Sequence, residues 1–107
     1  MIYKFKSKAA GDLIMMGHSG DQVLRIIGKQ PAPKGIIEPA AMGSAIAALE
    51  RAVAEDDAAR AQAEREAQAE GRTPAPREGV SLRQRAWPMV EMLRRAQAEG
   101  KEIVWGV

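Results

Sequence analysis

Cysteine is absent from this 107-residue chain, and histidine, tyrosine and phenylalanine occur once each. Without a thiol there is no disulfide, thiolate zinc site, iron–sulfur cluster or cysteine nucleophile. A single histidine restricts any Ser/His chemistry to His18. Long apolar runs are also missing: the most apolar stretch, Ala40 to Leu49, is about half the length of a membrane span and consists mostly of alanine. The N-terminus places Lys4, Lys6 and Lys8 among apolar residues, without the apolar run and cleavage site of a signal peptide, so a cytoplasmic location is expected.

What is present is alanine and charge. Twenty alanines swell the hydrophobic fraction of 46% while adding little burial area each, so the usable core is modest. The net charge of +2 announces neither nucleic acid nor membrane, yet it is unevenly spread. Residues 1–34 carry six Lys/Arg against two acids, 55–71 carry two against six, and 72–107 carry seven against four. One acidic stretch divides two basic ones.

The length suits one domain. Tyr3-Lys4-Phe5-Lys6 alternates aromatic and lysine, which predicts a strand over 2–7 with one wet face. Ala10-Gly11-Asp12 supplies turn chemistry, and 13–16 reads as a second strand. Asp21 is placed to cap a short helix over 21–28, closed by Gly28. Pro31, Pro33 and Gly35 make a rigid connector, anchored by Ile36 and Ile37. Pro39 suits a first helical turn, and Met42, Ile46, Leu49 and Val53 form one helical stripe.

From Asp56 to Glu70 no large apolar residue occurs, so a helix there would be solvated and would fray into a Pro/Gly linker over 71–79. Ser81 and Gln84 have capping-box spacing, opening a helix whose stripe is Leu82, Ala86, Met89, Leu93 and Ala96 with Val90 beside them. Pro88 should kink this helix and Gly100 should close it. Ile103, Trp105 and Val107 alternate as a final strand. The expected fold is α+β with order β-β-α-α-α-β: a three-stranded sheet with helices on one face. Its ordered core is 1–54 plus 80–107, and the acidic segment 55–79 lies outside.

Segments 2–16, 20–29 (Gly20-Asp-Gln-Val-Leu-Arg-Ile-Ile-Gly-Lys29), 35–41 (Gly35-Ile-Ile-Glu-Pro-Ala-Ala41) and the ending from Ser81 to Val107 resemble a family of short bacterial proteins catalogued as domain of unknown function 1840. The resemblance leaves out 55–79. It implies no activity, cofactor or partner.

Several residues are weighed as sites. Gly17-His18-Ser19-Gly20 precedes a helix start, where backbone donors receive anions. The loop lacks a phosphate-loop glycine pattern and lysine, however, and Asp21 would fill the cap and repel an anion. A nucleophile beside His18 would have to be Ser19, Ser44 or Ser81, but Ser19 is its turn neighbour and Ser81 is needed as a cap. Glu55, Asp56 and Asp57 are adjacent and so do not share a helix face, which favours a solvated charge run over paired acid–base chemistry or a cation site.

Trp87 falls on the outward side of its helix, flanked by Arg83 and Arg85. It is either covered by the 30–37 connector, through the Pro88 kink, or serves as an exposed interface anchor. Lys4 and Lys6 on the wet sheet face, with Lys8, Arg25, Lys29 and Lys34 near in sequence, could line a phosphate backbone. Tyr3 and Phe5 point to the opposite face and offer bases no stacking platform.

The leading expectation is a non-enzymatic interaction or regulatory module in which the Trp87 helix and the wet sheet face meet a protein partner or a second copy. A sequence-indifferent nucleic-acid binder is the alternative, and an enzyme of unrecognised type comes third. Neither cofactor nor metal is expected.

Overall fold

The computed structural model describes residues 2–71 and 81–107. Strands β1 (Ile2–Ser7) and β2 (Ala10–Met16) form a hairpin, followed by helix α1 (Gly17–Ile26), strand β3 (Gly35–Ile37), helices α2 (Pro39–Ala69) and α3 (Leu82–Glu99), and strand β4 (Ile103–Trp105). The sheet order is β2-β1-β4-β3, and every pairing is antiparallel. The expected α+β architecture is present, with a correction: the sheet has four strands, because Gly35–Ile37 pairs with β4 rather than serving only as a connector.

Side-chain alternation places Tyr3, Phe5, Met15, Ile37, Ile103 and Trp105 on the inner face, where all are buried with the helices. Ile36 faces outward and is 42% exposed, so of the two isoleucines only Ile37 reaches the core. The hairpin turns at Lys8-Ala9 instead of at 10–12, and β2 is longer than expected, because Ser7 pairs with Ala10 across a bulge that puts one extra residue in β2. Val107 lies beyond β4.

Helix α1 starts at Gly17, four residues before the expected start, and Ile26 is its last residue. Two local facts explain the shift. A Cβ on Gly20 would lie 2.1 Å from Tyr3 Cδ2, so glycine is present to let the helix pass against the tyrosine ring, with no turn required. Asp21 is not the cap: its carboxylate accepts a hydrogen bond from the Tyr3 hydroxyl.

Met42, Ile46, Leu49 and Val53 of α2 are buried as their spacing predicts, against the α3 stripe of Leu82, Ala86, Met89, Val90, Leu93 and Ala96. The two helices run antiparallel, with Glu50 bonded to Arg94 and Asp57 to Arg83. Ser81 and Gln84 form the predicted capping box, and Gly100 closes α3 at φ 64°. The helix runs through Pro88.

Helix α2 continues unbroken to Ala69, about 46 Å at 1.5 Å per residue. Its acidic segment begins on the body of the fold, because Asp56 accepts hydrogen bonds from Arg60 (2.9 Å) and from the backbone N–H of Leu82 (3.3 Å). A carboxylate at the first turn of α3 offsets unpaired amide donors and the positive end of the helix dipole. Of the linker expected over 71–79, all but Gly71 lies outside the described residues.

Candidate interaction surfaces

His18 is exposed in the first turn of α1, not in a loop. Among the described residues no hydrogen bond joins it to a serine or a carboxylate. Ser19 sits beside it, Ser44 donates to the Ala41 carbonyl on α2 (3.1 Å), and Ser81 caps α3. The fold therefore does not gather the residues of a Ser/His site. Glu55 is exposed, while Asp57 accepts from both Nε and Nη2 of Arg83 at 3.1 and 2.8 Å. Asp56 and Asp57 thus clamp α2 to the start of α3, a role that only tertiary placement reveals. Among the described residues no group of three or more His, Asp or Glu is arranged to hold a metal ion, and no helix is long and apolar enough to cross a membrane.

Trp87 is half-buried against the core. Its ring carries the Arg83 guanidinium at 5.2 Å and that of Arg94 at 5.4 Å, and the same two arginines pair with Asp57 and Glu50 of α2. Each cation is shared between an aromatic face and a carboxylate, so the tryptophan belongs to the α2–α3 seam. The tryptophan beneath the connector is Trp105, whose Nε1 donates to the Ala32 carbonyl at 2.9 Å. Arg85, the other expected flank of Trp87, instead lines a crevice beside β2.

Tyr3 is a strongly perturbed titratable group. Burial, reinforced by its hydrogen bond to Asp21 and by that carboxylate's charge, pushes its hydroxyl up to about 12. Ionising it would place an anion in the core beside a second anion. The pair therefore joins β1 to α1 and holds a neutral phenol.

Among the described residues no helix covers the outer face of the sheet. On it, Ile2 pairs with Met16, Lys4 with Ile14, and Val104 lies between Lys6 and Ile36. Ile2 and Ile14 are each 62% exposed and Met16 is 59% exposed. Val107, 74% exposed, joins Ile2, Lys4 and Lys6 around a shallow cavity of about 250 Å³ at the C-terminal end of β4. Lys4 is 3.6 Å from Asp12, and Lys6 has no acidic partner among the described residues. Every large exposed hydrophobic among the described residues thus lies on or beside one surface. The lysine alternation at 4 and 6 pointed to this wet face, but its apolar character comes from Ile14, Met16 and Ile36, whose strand pairings sequence spacing does not give.

These features define a small α+β domain: a four-stranded antiparallel sheet backed by three helices, with one sheet face left open. The chain belongs to the family described as Domain of unknown function (DUF1840), whose model matches residues 1–105 and so spans the acidic segment as well as the two ends. No curated protein and no solved structure matches it.

Proposed function

We propose that this domain is a non-enzymatic protein-interaction module that docks its partner on the open sheet face. The observation that carries this reading is the gathering of Ile2, Ile14, Met16, Ile36 and Val107, 42% to 74% exposed, around Lys4 and Lys6. Soluble domains rarely leave such a contiguous apolar surface without a use. Covering each of these side chains is worth about 1–2 kcal/mol. The matching surface is apolar with carboxylates placed for the two lysines. A two-fold, face-to-face meeting of two copies fits less well, because it would stack lysine on lysine. Trp87, Arg83 and Arg94, being occupied between α2 and α3, contribute stability to the module.

The absence of cysteine permits a direct test. A photocrosslinker attached through Ile36→Cys should capture a partner that the same label at Glu55→Cys does not. With that partner purified, Lys6→Glu combined with Ile36→Asp should weaken binding at least tenfold. Equal capture at both positions, or undiminished binding by the double variant, would defeat the reading. Capture of nucleic acid, with affinity falling steeply in salt, would favour the alternative of a phosphate-backbone binder.

A further inference from the structure

Strand β2 is an edge strand, paired with β1 on one side only. In an antiparallel strand, alternate residues direct their N–H and C=O groups away from the partner, so the outer side of β2 presents a row of free donors and acceptors. No hydrogen bond joins that row to another described residue. Beside it stands α3, and between the two runs a crevice with two adjoining parts. One, of about 210 Å³, is lined by Met15, Ser19, Gln84 and Arg85; the other, of about 270 Å³, by Gly11, Met92 and Arg95; Leu13 and Pro88 belong to both.

The first part carries an unmet positive charge. Among the described residues Arg85 has no carboxylate partner, and its buried Nε has no hydrogen-bond partner. A buried guanidinium N–H left without an acceptor costs free energy that a carboxylate would recover. One further feature favours an anion there. Helix α1, whose Ser19 forms part of the wall, begins without a side-chain cap or an acid in its first turn. The second part is different: Asp12 and Glu91 share its lining with Arg95, so it presents no net demand for an acid.

We propose that this crevice binds an extended peptide as a fifth antiparallel strand, with an acidic side chain of the peptide on Arg85. Edge-strand addition beside a helix draws affinity from main-chain hydrogen bonds and specificity from alternate side chains. Leu13 and Met15 face the helices while Ile14 faces outward, and the added strand follows the same alternation. Running antiparallel to β2, it places its acid opposite Met15, an apolar residue opposite Ile14 on the open face, and a second apolar residue opposite Leu13 against Pro88. The recognised pattern is Glu-Val-Leu or a close analogue, read from N to C. This inference rests on the reading of the domain as an interaction module but uses the adjoining edge of the sheet, which shares Ile14 and Met16 with the open face.

The test uses a dye-labelled, end-blocked peptide Thr-Glu-Val-Leu-Thr-Ala and the full chain, followed by fluorescence polarisation. Replacing the peptide's glutamate with lysine, or Arg85→Glu in the protein, should each weaken binding at least tenfold, and combining the two should restore it. Recovery in the combined swap shows that the variant chain is folded. N-methylation at successive peptide positions supplies the signature of a strand: one parity of positions should abolish binding and the other should leave it within about twofold. Absence of binding up to about 1 mM, an Arg85→Glu chain that binds unchanged, failure of the swap to restore, or N-methyl effects without parity would each overturn the proposal. The Lys6→Glu, Ile36→Asp chain should bind this peptide normally, so failure here and failure of the open-face reading are separately visible.

Discussion

Two glycines in helices should respond in opposite directions to the same substitution. In a helix interior, Gly→Ala gains about 1 kcal/mol from the lower backbone entropy of alanine in the unfolded chain. At Gly43 of α2 the added methyl would meet only Gln97 Nε2, at 3.2 Å, and a flexible amide can shift aside. At Gly20 of α1 it would lie 2.1, 2.7 and 2.9 Å from three atoms of the Tyr3 ring, where carbon atoms require about 3.5 Å or more. The ring is buried and must move, at an overpacking cost of about 1–3 kcal/mol. Moving it also breaks the hydroxyl's bond to the Asp21 carboxylate, worth about 1.5–3 kcal/mol. After the helix-propensity gain is subtracted, Gly20→Ala should destabilise the domain by about 1.5–5 kcal/mol, whereas Gly43→Ala should stabilise it by about 0.5–1 kcal/mol. Urea unfolding followed by circular dichroism measures both. A Gly20→Ala chain as stable as the wild type would mean that the helix does not need glycine to approach β1, and the account given for the early start of α1 would be wrong.

Because Tyr3 is the only tyrosine, ultraviolet absorbance of tyrosinate reports it alone: it should titrate near 12, and Asp21→Asn should bring the midpoint down only part of the way to 10, since burial is the larger cause. The stability conferred by the neutral phenol is fully present below pH 10 and is lost as pH rises through 12, so the alkaline fall in melting temperature should be smaller in Tyr3→Phe. Replacing Trp87 with alanine removes a half-buried ring and the aromatic face under two arginines, at a cost of about 2–3 kcal/mol by urea unfolding. Binding at the open sheet face should survive that change at temperatures where the variant is folded, and its loss there would return Trp87 to the candidate surface.

The residues that were legible in sequence are those whose role is set by their near neighbours. The stripe of α2 and the capping box of α3 depend on spacings of three and four residues, and both occur as the spacing predicts. The alternation of Tyr3, Lys4, Phe5 and Lys6 likewise defines two faces without reference to anything distant. What could not be read locally has a distant cause. Gly20 looks like turn chemistry because sequence shows a missing side chain but not whether conformation or proximity requires it; here the cause is a ring seventeen residues away. Strand β3 is three residues long, too short for a period, and exists because β4 lies beside it. Asp56 and Asp57 look solvated until the first turn of α3 is set against them.

The same division separates the two candidate surfaces. Lys4 and Lys6 mark the open face from sequence alone, since a lysine at every second position cannot face a core. The crevice at the edge of β2 depends on which strand is outermost and which helix stands beside it, and neither follows from the order of elements along the chain. Arg85 illustrates the consequence. In sequence it is one of two arginines flanking a tryptophan, equivalent to Arg83. In the fold α3 turns them to opposite sides, Arg83 toward Asp57 and Trp87, and Arg85 toward the free edge of β2, without a partner among the described residues. A charge becomes informative once its neighbours are known, and an arginine left unpaired beside an open strand edge specifies the chemistry of what would complete it.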